Sequence, residues 1–226
     1  MKEYVYEERK SMFSMLTVHE WLVISSLLSC FLLLARMLVT GTLLFGFLPW
    51  NLFLAFIPYW ITGAIKNRIS ILENRWKLTG CLLVCLVFIP NSFYIITDLF
   101  HLNFITNAPK WFDLLMIFSF AWNGILFGII SVRRVEWIVS LQTTKITAEM
   151  TVFAVMFLSG WGIYIGRFLR FNSWDVIANP FSLFGEILNM IIHPFQNGYA
   201  WGMTLCYAVF MSVFYFTVRK LSENFG

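Results

Sequence analysis

Asp98 and His101 stand three residues apart in "PNSFYIITDLFHL", residues 90–102, at the end of an apolar run that begins near Leu78. A carboxylate and an imidazole at i and i+3 share a helix face, within reach of each other or of one ion. Three readings stand. His101 could be a general base oriented by Asp98. Asp98 and His101 could ligate a divalent metal, with His193 as a third ligand. Or Asp98 pairs with an arginine while His101 caps the helix. The catalytic candidates are therefore Asp98, His101 and His193, and the same three are the metal candidates. No other cofactor is suggested: three scattered histidines do not make a haem pair.

Other ligand-suited residues recur at the ends of neighbouring apolar runs. At about 100° per residue, Asn91, Tyr94, Asp98 and His101 fall within an arc of about 80° and form one polar stripe. Arg36 ends the first run, Asn51 lies in the outer half of the second and Asp113 opens the fourth, with Asn123 at its middle. The fifth closes with "GRFLRFNSWD", which brings Arg167, Arg170, Asn172 and Asp175. A guanidinium fork suits a phosphate or carboxylate, and a lipid phosphate is the anion at that depth. The bland alternative is snorkelling and pairing with Asp98 or Asp175. Since an unpaired charge at membrane depth costs several kcal/mol, these groups are expected to face inward, with Asp98 paired to an arginine of the fifth run. Asn91 and Asn123 suit hydrogen bonding between helices. These ten residues, Tyr94 included, make up the substrate-binding candidates.

The elements that must position these groups follow from composition. The chain has 226 residues, of which 59% are hydrophobic and 12% charged, and its mean hydropathy is +0.75. A soluble domain carries roughly 25% charged residues. Lipid is therefore the expected solvent, and an all-α polytopic membrane bundle the expected fold. Runs of about 20 apolar residues lie at 19–40, 43–65, 78–101, 112–132, 148–170 and 200–218. Residues 175–198 are too short and polar to span. They predict an interfacial or re-entrant outer-face helix over 182–193, capped by Ser182, with a stripe of Phe184, Ile187, Leu188 and Ile191. The organisation is then an N-terminal arm, 1–18, and one transmembrane domain, 19–220. Residues 1–19 lack a signal-peptide pattern, so the first run is expected to stay as an anchor.

Twelve of the sixteen Lys and Arg residues fall on one side if six spans alternate: the N-terminal arm, the loops near 66–77 and 133–145, and the C-terminal segment. The positive-inside rule puts both termini in the cytoplasm. The polar stripe then reaches the outer boundary, as a cavity open to the outer leaflet and closed below by an aromatic plug. The inner half is expected to be nearly free of charge. Cys30, Cys81, Cys85 and Cys206 lie in apolar runs and read as small hydrophobes. Trp21, Trp111, Trp137 and Trp201 read as interface belts. Gly124-x-x-x-Gly128 and Gly162-x-x-x-Gly166 read as close helix packing. No Walker A loop, serine elbow or HExxH is present, which argues against ATP-driven work. The net charge of +4 follows membrane topology and gives no nucleic-acid signal.

"PWNLFLAFIPYW", "PNSFYIITDLFHL", "WFDLLMIFSFAWNG" and "LSGWGIYIGRFLRFNSWDVIANP" resemble, in that order, the bacterial membrane family catalogued as domain of unknown function 1361. The resemblance covers about 43–196. The family's polar positions correspond to Asn51, Asn91, Asp98, His101, Asp113, Asn123, Arg167, Arg170, Asn172, Trp174 and Asp175. The resemblance implies a small multi-spanning protein of the bacterial cytoplasmic membrane and brings no activity with it. From the residues, the first expectation is an enzyme that hydrolyses, or transfers a group of, a lipid or lipid-linked anionic substrate at the outer leaflet. The alternatives are a transporter or lipid scramblase, and a non-catalytic binding subunit. Membrane lipids are the expected partners; the oligomeric state stays open.

Overall fold

Thr17 starts the first helix with a reciprocal cap: its hydroxyl accepts the Glu20 backbone N–H, and the Glu20 carboxylate accepts that of Thr17. The helix stops where Gly41 turns left-handed, at φ 67°. The computed structural model describes residues 16–103 and 107–225. Its elements are α1 (Val18–Thr40), α2 (Leu48–Asn67), α3 (Ile69–Leu72), α4 (Arg75–Tyr94), a 3-10 continuation of α4 (Ile95–Asn103), α5 (Lys110–Ser140), α6 (Lys145–Arg167), α7 (Asp175–Ala178), α8 (Pro180–Ile192) and α9 (Gly198–Phe225). Among the described residues there is no strand. Six helices are long and apolar enough to cross a membrane: α1, α2, α4 with its continuation, α5, α6 and α9. The chain is a multi-pass all-α bundle, with α8 as an additional shorter apolar helix.

The spans run up and down. Both ends of the transmembrane unit lie at one end of the bundle, here called proximal; the segments 41–47 and 168–197 lie at the other, distal end. α5 is the most enclosed helix and packs on α1, α2, α4 and α6, while α9 rests on α6. Leu33, Leu52, Ala55, Ile117 and Phe120 fill one apolar core, and Cys85, Ile89, Phe93, Met156 and Ile163 fill another. Both paired-glycine stripes face α4. A Cβ on Gly124 would meet Ile95, one on Gly128 would meet Ser92, one on Gly162 would meet Pro90, and one on Gly166 would meet the Tyr94 ring. With no hydrophobic force between helices in lipid, such close approaches provide the van der Waals contact that holds them. α4 is thereby wedged between α5 and α6.

Several expectations are corrected. The fourth span does not end at 132 but continues to Ser140, because Val135 and Ile138 keep its inner face apolar and buried. The proximal half is accordingly not free of charge: Glu136 is buried, with Arg219 at 2.7 Å. The fifth span ends at Arg167, since Arg170 adopts φ 62° and cannot continue a right-handed helix. α8 begins at Pro180, whose fixed φ and missing N–H suit a first turn, rather than behind Ser182. Trp201 is not merely an interface residue. Its indole N–H donates to the Met190 carbonyl at 3.1 Å, and that of Trp161 to the Met190 sulfur at 3.4 Å. The two tryptophans pin α8 to the bundle. Most of the N-terminal arm, residues 1–15, lies outside the described residues.

The α6–α9 seam gives the first prediction. A Cβ on Gly160 would lie 2.6 Å from the Thr204 carbonyl oxygen, a backbone atom that cannot swing away. Gly160→Ala is expected to destabilise the protein by about 1–3 kcal/mol through overpacking. Gly202→Ala, with nothing within 4 Å of the new carbon, is expected to leave the melting temperature unchanged. Thermal unfolding of both variants in detergent checks this.

Candidate functional site

Pro90 lacks the N–H that a helix interior requires and leaves a carbonyl one turn back without its donor. Side chains beside it bond the carbonyls that follow. The Asn91 amide nitrogen donates to the Phe88 carbonyl at 3.2 Å and to the Ser173 hydroxyl at 2.7 Å. Ser173 in turn donates to the Val87 carbonyl at 3.4 Å. These bonds draw the segment after α6 over the middle of α4. Beneath it lies a cavity of about 260 Å³ between α2, α4, α6 and α8. Its polar wall comes from Asn51, Asn91, Tyr94, Asn172 and Ser173. Its apolar wall includes Leu54, Leu86 and Ile165, with Leu183 and Ile187 contributed by α8. Trp50 and Trp174, ring centroids 6.1 Å apart, stand beside the entrance residues.

The expected single stripe along the third span divides at Ile95. Beyond it the chain is a 3-10 helix, advancing about 120° per residue rather than about 100°. Asn91 and Tyr94 therefore line the cavity, while Asp98 and His101 turn away from it. Asp98 is buried, and its carboxylate accepts the Asn51 amide N–H at 2.8 Å. The expected pairing of Asp98 with an arginine of the fifth span is not found among the described residues. The Arg167 guanidinium instead sits 5.5 Å from the Phe100 ring centre. His101 is not held by the Asp98 carboxylate either: its Nδ1 lies 3.0 Å from the Asp98 backbone carbonyl, and its ring packs 4.9 Å from that of Phe47. His193, at the end of α8, is exposed, and its carbonyl accepts the Asn197 amide. Among the described residues no three His, Cys, Asp or Glu side chains converge as metal ligands. Asp98, His101 and His193 are thus not one constellation in this structure.

Arg36 and Asp113 are paired with each other. The Arg36 Nε donates to Asp113 at 2.8 Å, and both side chains are buried. Arg36 also donates to the Thr42 hydroxyl at 2.9 Å and lies 4.5 Å from the Phe45 ring centre. Neither residue lines the cavity, so their place as binding candidates passes to a structural role. Asn123 likewise bonds Ser29 across the α1–α5 seam at 3.1 Å, as interhelical glue. Asn91 does not share that role; its partner is a loop. Asp175 accepts the Asn172 backbone N–H at 2.5 Å and tightens the turn after α6. Arg170 is exposed, and with Arg167 it flanks the lining residues Gly166 and Phe171 without lining the cavity itself.

Ser173 is the polar lining residue that sequence reasoning missed. A lone serine in a polar loop has no periodicity to mark it, and only the Pro90 gap on the facing helix could have pointed to a donor from elsewhere. Leu183 and Ile187 were missed as lining because α8 carries no span signal.

The buried pair yields the second prediction. Arg36→Ala or Asp113→Ala alone leaves an uncompensated buried charge, at an expected cost of about 3–5 kcal/mol. The double variant Arg36→Met/Asp113→Leu is expected to recover most of that. Chemical unfolding of the three variants in detergent checks the non-additivity.

Comparison with curated proteins and with solved structures returned no match. Residues 50–214 match the family model described as "Protein of unknown function (DUF1361)". That match spans α2 to α9 and every residue lining the distal cavity, so the chain belongs to the DUF1361 family.

Proposed function

We propose that this protein is a lipid-handling membrane protein, whose distal cavity receives the polar head of a lipid or lipid-linked molecule. One observation carries the reading. The amide nitrogens of Asn51 and Asn91 are committed to Asp98 and Ser173. Their amide oxygens accept nothing among the described residues, and both residues line the cavity. The Asn51 orientation follows from chemistry, since its nitrogen and not its oxygen must meet a carboxylate. Two unengaged acceptors, with Tyr94 and Ser173 hydroxyls beside them, suit a head group rich in O–H or N–H donors. Leu183 and Ile187 of α8 suit the apolar part of the same molecule. A phosphate linking the two would lie near Arg167 and Arg170 at the margin.

Binding is favoured over catalysis by the same geometry. Asp98 and His101 do not line the cavity; Asp98 acts as a positioning residue for Asn51. Hydrolysis or group transfer would require one of them to reach the head group. A transporter or scramblase reading needs a polar path, and the spans carry no charged side chain between the distal groups and the Arg133, Arg134 and Glu136 cluster at the proximal end. We place the proximal end in the cytoplasm of a bacterial cell, on the positive-inside pattern, so that the cavity opens toward the outer leaflet.

Native mass spectrometry of the protein extracted in mild detergent tests the proposal. A co-purifying lipid is expected, and Asn91→Leu is expected to reduce its occupancy at least tenfold while the fold survives. Equal occupancy in the variant would sink the reading. A retained lipid that is converted, with conversion lost in Asp98→Asn, would restore the enzyme reading.

A further inference from the structure

The opposite end of the bundle holds a second cavity, of about 520 Å³, between the proximal ends of α2, α5, α6 and α9. Its chemistry differs: Lys66, Arg133, Arg134, Lys145 and Arg219 line it, with Glu136 as the one lining carboxylate. Two of the five cations are already spoken for. Arg219 pairs with Glu136 at 2.7 Å, Glu149 at 3.3 Å and Glu223 at 3.1 Å. Arg133 pairs with Glu136 at 3.0 Å and Glu223 at 3.6 Å. Lys66, Arg134 and Lys145 have no carboxylate partner among the described residues.

Arg134 is held in place without one. A single Nη donates to the Tyr59 carbonyl at 2.7 Å, and the guanidinium lies 4.4 Å from the Tyr59 ring centre. Gly63 makes the room: a Cβ there would lie 3.1 Å from that same nitrogen. The remaining N–H donors of the fork have no partner among the described residues. The Lys66 ammonium stands 6.0 Å from the Trp137 ring centre, at the margin of the same cavity. A pre-positioned guanidinium with two flanking ammonium groups, in a polar cup at the end of a membrane bundle, is a phosphate-binding arrangement.

We propose that this proximal cavity binds a phosphate-bearing anion, with Arg134 as the fixed donor and Lys66 and Lys145 as mobile counter-charges. The phosphate arrives either as the head group of an anionic phospholipid in the proximal leaflet or as a soluble phosphate compound. The site is separate from the distal cavity and does not rest on the function proposed for that end.

Nanodiscs of phosphatidylcholine with a minor share of phosphatidylglycerol provide the test, read by native mass spectrometry of the released protein. Phosphatidylglycerol is expected to be retained several-fold above its share of the bilayer, and retention is expected to fall as salt rises. Lys66→Gln/Lys145→Gln changes two exposed amines and leaves the core alone; it is expected to lower retention several-fold, and Arg134→Gln to do the same. Asn91→Leu, at the distal cavity, is expected to leave it intact, so failure here and failure there are distinguishable. If inorganic phosphate or glycerol 3-phosphate displaces the lipid, or stabilises the lipid-free protein, the soluble source is established and the site stands. Unselective lipid retention with no response to phosphate, or unchanged retention in both charge variants, overturns the proposal.

Discussion

A charge inside a lipid-solvated bundle must find a partner, and Arg36 with Asp113 is the most deeply buried ion pair among the described residues. Their side chains are 1% and 4% exposed. The pair joins the distal ends of α1 and α5, which otherwise meet mainly through apolar contact and the Asn123–Ser29 bond. Through Thr40 and Thr42, Arg36 also holds the turn that leads into α2. α2 in turn carries Asn51 and Trp50 to the cavity. The same rule works at the other end, where Glu136 of α5 accepts from Tyr215 and Arg219 of α9, and Arg219 reaches Glu149 of α6. Two charged clasps close the bundle at its two ends.

Between the clasps, apolar and aromatic side chains fill the interior. Phe56, Tyr59 and Phe127 pack in tilted and edge-on pairs with centroids 5.2–5.7 Å apart. The Ser92 and Thr62 hydroxyls are spent on the carbonyls of Ala55 and Pro58. One cavity lies toward each end. The distal one is neutral, built from amides and hydroxyls; the proximal one is basic. A neutral hydrogen-bonding cup discriminates by the geometry of donors, whereas a basic cup discriminates by charge.

Pro90 links the fold to the distal site. Its missing N–H interrupts the ladder of α4, and next to it the Asn91–Ser173 bond ties in the loop after α6. That loop is the cavity's lid on one side. α8, pinned by Trp161 and Trp201, completes the wall opposite.

How much of this was legible in the residues divides along one physical line. Span number and fold class follow from hydropathy, because the bilayer imposes them residue by residue. The paired glycines announced close packing for the same reason, since only a missing side chain permits it. Partnerships were not legible. Arg36 could have paired with Asp98 as well as with Asp113, and the choice depends on the 3-10 tightening at Ile95, which turns Asp98 toward Asn51. No helical period foretells that switch. Ser173 meets Asn91 across 82 positions, and Arg219 meets Glu136 across 83; such distances are closed only by packing. Sequence by itself determined that these charges must be satisfied, because lipid solvates none of them. Tertiary structure alone decided which partner satisfied each, and so which polar groups were left over to bind something else.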